Sequence, residues 1–214
     1  MNFKYYNTER LILFIIALSI IVGSFVTFWV HPRVEKASES IKTVIIYTEV
    51  FSVPFFISII FSIINSWGWK WCIFKWLIKV PDLSGRYTGR LVSSYMEEGK
   101  AVEKKCTLEI KQNASSIHIS AYFGNLDSNI QTSNSFGIST EIIEEKNGFY
   151  TLYYNYNNET DGLNLNNEFD NHSGTARYKY FPDNKSLKGL YYNQKKNDGQ
   201  IEVTFEQELL LGRL

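Results

Sequence analysis

The sequence predicts a membrane helical hairpin joined to an all-β domain, an eight-stranded antiparallel up-and-down β-barrel. Three observations carry this expectation. Two long apolar stretches lie before Pro81 and none of comparable length lies after it. From Ser84 onward, apolar residues alternate with polar ones at the period of a strand, in short runs. Clusters of Gly, Asn and Asp separate those runs. The boundary is Pro81-Asp82-Leu83-Ser84-Gly85-Arg86-Tyr87-Thr88-Gly89. Pro81 has no backbone N–H and biases Val80 away from helix, so a preceding helix should end there. An anchor is therefore expected over 1–80 and a β domain over 81–214.

The first apolar stretch, 11–30, holds no charged residue and has the roughly 20 residues that a helix needs to cross the hydrocarbon core. A signal peptide is the rival reading, but its apolar region is usually about 7–15 residues and ends in small residues, whereas this one ends in Phe28-Trp29-Val30-His31-Pro32. A polar link follows, with Arg33, Glu35, Lys36, Glu39 and Lys42. The second span is expected over 44–69, interrupted by Glu49 and Pro54. Trp67, Trp69, Trp71 and Trp76 cluster at its end as an aromatic belt does at a membrane interface, with Lys70, Lys75 and Lys79 beside them. Together with Lys4 and Arg10, these charges favour both termini in the cytoplasm. For Glu49 two readings stand: a position at the interface, or a polar contact between hairpins.

Strands are expected at 85–95, 102–112, 116–124, 135–145, 149–156, 172–181, 187–194 and 200–210. Between them lie Glu98-Gly99, Asn113, Gly124-Asn125, Asn147-Gly148, Pro182-Asp183-Asn184 and Asp198-Gly199. Asn147-Gly148 and Asp198-Gly199 read as two-residue hairpin turns. The longest connection, 157–170, is Asn-rich and reads as a lid or a solvated connector. Short turns throughout suggest a closed barrel, because closure removes exposed edges. A barrel of about eight strands holds side chains or one small ligand.

Parity places Tyr87, Leu91, Cys106, Leu108, Ile119, Phe136, Ile138 and Leu152 inside, among others. The polar and aromatic members of the inward set are the candidate ligand-binding residues: Tyr87, Ser93, Lys104, Thr140, Tyr154, Tyr156, His172, Tyr178, Tyr191 and Lys195. Tyrosines offer flat faces for stacking and hydroxyls for hydrogen bonds, and Lys104 and Lys195 can meet a phosphate as point charges. Such walls suit a planar polar ligand better than a fatty acid. Core filling is the rival account of the tyrosines, and solvent exposure that of the lysines.

Basic and acidic residues balance at 22 each, so no global charge favours a DNA or RNA polymer. No catalytic motif and no Cys/His spacing for a metal is present, so neither an enzyme nor a cofactor is expected. Cys72 and Cys106 read as plain thiols rather than a disulfide.

Two spans, the Pro81–Gly89 opening, His172-Ser173-Gly174-Thr175 and Leu187-Lys188-Gly189-Leu190-Tyr191 before Gly199 occur in order. In this the chain resembles the two-transmembrane, β-strand-rich effectors associated with bacterial CD-NTases, the receptors of CBASS antiphage systems. Tyr87 stands where a tryptophan is expected in that opening. The opening also resembles lipocalins, giving a lipocalin-like barrel, but those are secreted and lack the hairpin. The resemblance implies a receptor in the bacterial inner membrane, multi-pass, whose barrel binds a cyclic di- or oligonucleotide from a partner CD-NTase. Binding would promote oligomerisation, and the spans would then disrupt the membrane and kill the infected cell. The alternatives are a membrane-tethered carrier of a lipid or other apolar molecule, and a protein-binding scaffold.

Overall fold

The computed structural model describes residues 2–30, 32, 39–127, 130–160 and 171–214. Most of the polar link and of the 157–170 connection, and the side chain of Glu49, lie outside the described part. The chain divides into two compact units, one of residues 1–79 with 113–115, the other of residues 80–112 with 116–214.

In the first unit, α1 (Thr8–Phe25) is capped by Asn7, whose side chain accepts from the Arg10 N–H. The helix runs on into a π-helical turn, Val26–Val30. Thr8–Trp29 is the one described helix long and apolar enough to cross a membrane. The second helix, α2 (Glu39–Ser66), contains Pro54. Its described apolar part, Val53–Ser66, is shorter than a span, so a second crossing over 44–69 is not shown. The helix ends at Ser66, three residues before the expected end, where Trp67 leaves helical geometry (φ −133°, ψ −41°) and Gly68–Lys70 tightens into a 3-10 turn.

The second unit is a closed antiparallel barrel in simple up-and-down order. Its strands are β1 (Gly85–Glu97), β2 (Lys100–Gln112), β3 (Ile117–Gly124), β4 (Gln131–Glu144), β5 (Tyr150–Thr160), β6 (His172–Phe181), β7 (Ser186–Asn193) and β8 (Asp198–Gln207). The last strand pairs with the first, Tyr87 opposite Phe205 and Leu91 opposite Ile201. Glu98 and Gly99, both at positive φ (52° and 76°), make the β1–β2 turn.

Three sequence expectations fail locally. Asp198-Gly199 does not turn: β8 already starts there. The chain reverses at 194–196 instead, where Asn193 and Asn197 bond and Lys196 takes the left-handed conformation (φ 61°). Asn147-Gly148 does turn, but within a three-residue loop closed by Glu145 and Phe149, with Gly148 at φ 79°. In β4, a bulge between Gly137 and Ser139 shifts the register, so Phe136 and Ile138 face outward, 43% and 65% exposed, while Ser135 is buried. An extra residue in one strand exchanges its faces.

Inward residues near the start of β1 and the end of β2 fill their end of the barrel. Leu108, Ile110, Ile119, Leu152, Leu187 and Val203 are almost wholly buried, each contributing roughly 1.5–3 kcal/mol of hydrophobic stabilisation. The outside of this end is closed as well. Beyond β8, which stops before the expected 210, residues 208–214 cross the outer face of the barrel. The Leu211 and Gly212 N–H groups donate to the Glu109 carboxylate at 2.7 and 3.0 Å. Arg86 donates to Glu109 at 2.7 Å, to Glu206 at 3.0 Å and to the Arg213 carbonyl at 2.6 Å. Arg86 and Glu109 are each 5% exposed. A buried pair persists only when such partners compensate its lost hydration.

Candidate ligand-binding site

At the other end the barrel is hollow. A cavity of about 1040 Å³ opens among the end of β1, the start of β2, the β7–β8 turn and the neighbouring strand ends. Its inward positions carry mostly small polar residues and tyrosines, with the branched aliphatics Leu91 and Ile201 at its floor. Gly174 illustrates the fit: a Cβ there would collide with the Tyr156 ring. A Cβ at Gly199 would collide with the Val92 carbonyl of β1 and with the Tyr191 ring, and this close approach, not a turn, is what requires glycine at that position.

Tyr154 is the centre of the wall. Its ring stacks on Tyr156 (centroids 5.2 Å, planes 27° apart) and on Tyr178 (6.3 Å, 29°). Its hydroxyl lies 2.7 Å from Ser135 Oγ, and the Tyr191 hydroxyl donates to Ser93 Oγ at 2.9 Å. Burial pushes the Tyr154, Tyr156 and Tyr178 hydroxyls well above the usual tyrosine range and raises that of Tyr191, which its bond to Ser93 opposes. They stay protonated at neutral pH and act as neutral donors and stacking faces. Lys104 projects inward from β2 and donates to Thr132 Oγ1 at 3.4 Å. Burial lowers its pKa, with Glu97 opposing the shift. Its charge is incompletely hydrated, which an anion would relieve. At the mouth, Glu97, Glu98 and Glu103 stand with Lys100 and Lys195. Asn193 Nδ2 lies 3.5 Å from His172 Nε2.

Of the ten residues expected from the sequence, Ser93, Lys104, Tyr154, Tyr156, His172, Tyr178, Tyr191 and Lys195 line this cavity. Lys195 does so from the β7–β8 turn rather than from a strand. Tyr87 and Thr140 do not line it. Tyr87 is 1% exposed and packs edge-on against Phe205 at 5.6 Å, because it stands two inward positions before Leu91, toward the filled end. Thr140 pairs with Tyr154 but lies past the bulge, on the side away from the mouth, and Ser133 and Ser135 take the cavity-facing places of β4.

The lining also includes Asn125, Thr132, Asn158, Asn193 and Asn197, which sequence reasoning missed. Asn158 was within reach: it continues the Tyr154, Tyr156 parity by one step, into a strand that runs to Thr160. Among the described residues, no group of three or more His, Cys, Asp or Glu side chains is placed to hold a metal ion. What the cavity offers is aromatic faces, neutral hydrogen-bond donors and acceptors, the partly desolvated Lys104 and, at the mouth, three carboxylates with two further lysines.

Comparison with known proteins bears on this site. CD-NTase-associated protein 15 of Staphylococcus schleiferi is 41% identical over 88 residues, which cover 41% of this chain and 42% of that protein. The match thus spans less than half the length of that relative. Residues 78–205, which contain nearly the whole barrel, match the family model described as Cap15, cyclic dinucleotide receptor domain, and the chain belongs to that family, whose ligand class is a cyclic dinucleotide.

Proposed function

We propose that residues 81–214 sense a cyclic dinucleotide, or a related cyclic oligonucleotide, made by a partner CD-NTase during phage infection, and that residues 1–80 carry out the membrane step. The observation that carries this reading is the stack of Tyr154, Tyr156 and Tyr178 in one cavity with Lys104. Tyr154 lies between Tyr156 and Tyr178 and is 2% exposed, so a base would stack at the cavity ends of the wall, on Tyr156 or Tyr191, each 7% exposed. Such stacking is worth about 1–3 kcal/mol per base, and a phosphate can approach Lys104. Ligand binding favours an oligomer, and the two helices, the second completing a hairpin across the bilayer, then disrupt the bacterial inner membrane. Both termini are cytoplasmic in this arrangement.

The energetics set a condition. Ligand must bind the assembled state more tightly than the resting one, because equal affinity shifts nothing. Converting a population from mostly resting to mostly assembled needs about 5.5 kcal/mol of differential binding. Strand β1 is suited to carry the signal, since it begins beside Pro81 at the filled end and finishes in the cavity wall. A lipid carrier would be favoured by an all-apolar cavity, and a scaffold by a packed interior. Lys104, His172 and the asparagines argue against the first, and the cavity volume against the second.

The test is leakage from vesicles holding the full chain, titrated with cyclic di-AMP, cyclic di-GMP and cyclic GMP–AMP. Leakage triggered by one of them, and shifted to higher ligand concentration by Lys104→Gln, is the expected result. Binding without leakage would remove the membrane step, and leakage independent of nucleotide would remove the sensor.

A further inference from the structure

The segment after α2 is held against the start of α1 by several independent contacts. Tyr6 and Ile78 form a β-bridge. The Asn7 N–H donates to the Leu77 carbonyl at 2.9 Å, and Arg10 Nη1 donates to the Trp76 carbonyl at 2.7 Å. Phe14 packs edge-on against Phe74 and Trp76, centroids 6.2 and 6.1 Å away. These contacts fix the segment level with the first two turns of α1, the described helix long and apolar enough to cross a membrane. In a bilayer, that is the depth where hydrocarbon meets headgroups.

The side chains sort accordingly. Leu77 and Trp69 turn inward, 0% and 3% exposed. Trp67, Trp71, Ile73 and Trp76 turn outward, 67%, 53%, 64% and 43% exposed. That is a large apolar display for a surface meeting only water. Exposed Lys70, Lys75 and Lys79 alternate with them, and no acidic residue occurs anywhere over 67–79. Tryptophan concentrates at membrane interfaces, and a lysine near an anionic leaflet gains about 1 kcal/mol.

We infer that residues 67–79 form an interfacial collar that binds the headgroup layer of an anionic phospholipid leaflet. The occupant is lipid rather than protein because the collar is continuous with the membrane helix and its charge is of one sign. The inference rests on reading α1 as a membrane span. The collar makes the seating of the anchor depend on lipid charge, a property that an apolar hairpin alone would lack.

Four of the five tryptophans, Trp67, Trp69, Trp71 and Trp76, lie in this segment, so a full chain carrying Trp29→Phe emits from the collar alone. It is placed in phosphatidylcholine vesicles containing either brominated phosphatidylglycerol or the same fraction of brominated phosphatidylcholine. The collar predicts several-fold stronger quenching by the brominated phosphatidylglycerol. The preference should fall with added salt and reach parity in Lys70→Gln/Lys75→Gln/Lys79→Gln, with quenching itself retained. Equal quenching by the two lipids in the parent chain would overturn headgroup recognition while leaving the span intact. Quenching by neither lipid, with emission also shielded from aqueous iodide, would replace lipid by a protein partner or second copy. Quenching by neither, with full access to iodide, would overturn the membrane reading itself.

Discussion

The two ends of the barrel are built from the same strands with the same alternation, yet one is solid and the other hollow. At the filled end, inward positions carry Leu108, Ile110, Ile119, Leu152, Leu187 and Val203. At the hollow end they carry Ser93, Lys104, Ser135, Tyr154, Tyr156, Tyr178 and Tyr191, with Leu91 and Ile201 where the two ends meet. Branched aliphatic side chains interdigitate across a small barrel and exclude water. Tyrosines lie along the wall, stacked on one another, and glycines make space for their rings. Binary pattern therefore decides which way a side chain points, while shape decides whether the interior closes. The filled end is also secured from outside by the Arg86–Glu109 pair and the crossing tail, so the securing contacts and the cavity lie at opposite ends.

This division can be broken most severely at the filled end. Arg86→Ala leaves Glu109 buried and deprives the tail of a partner, and should cost about 3–5 kcal/mol. Thermal unfolding of the full chain in detergent would read this as a fall of roughly 2–4 °C per kcal/mol. The double replacement Arg86→Met/Glu109→Leu should recover much of that loss, because removing both charges removes the unpaired one. Leu152→Ala should cost about 2–5 kcal/mol through lost transfer energy and a new cavity, with nucleotide affinity unchanged in the fraction that remains folded.

Smaller effects separate the hollow end. Its tyrosines hold their protons more tightly folded than unfolded, so the unfolded chain ionises first as the pH rises. Stability should hold until about pH 10, the ordinary tyrosine value, then decline as the pH climbs toward the raised folded values. Tyr154→Phe should flatten that decline, measured as unfolding midpoint against pH. Lys104 works with the opposite sign. Its folded pKa is lowered, so it destabilises the empty receptor below that value, and stability is regained as the pH rises through it toward the unfolded lysine pKa. Lys104→Met should therefore raise the melting temperature slightly while weakening nucleotide binding.

Much of the barrel was legible because alternation is a strong signal over long strands. Eight strands in meander order, the inward set of β1, β2, β3, β5, β6, β7 and β8, and seven of the expected cavity-lining residues follow from it; Lys195 reaches the cavity from a turn. The failures have local causes. The β4 bulge exchanged Phe136 and Ile138 with Ser135, since one inserted residue reverses a period of two. Asp198-Gly199 carries turn chemistry but serves as a strand start, because Gly199 is needed beneath Tyr191. Residues 208–214 continue an apolar run, yet they are drawn out of the sheet by the Glu109 carboxylate, a long-range bond that no local pattern announces. Asn125 and Asn197 sit in turns, where asparagine is ordinary, so only the closed barrel reveals that they face a cavity, whereas Asn193 ends β7 on the inward parity of Tyr191 and, like Asn158, was within reach.

Whether nucleotide enters the hollow end can be read from two adjacent tyrosines on one strand. Tyr191 faces the cavity, and Tyr192 faces outward at 54% exposure. Calorimetric titration of the full chain in detergent with cyclic di-AMP, cyclic di-GMP and cyclic GMP–AMP should find one that binds. Tyr191→Ala should lose about tenfold or more in affinity for it, the order expected for one stacked base, and Tyr192→Ala should bind as the parent does. Loss in Tyr192→Ala with full binding in Tyr191→Ala would place the nucleotide on the outside of the barrel and contradict the account.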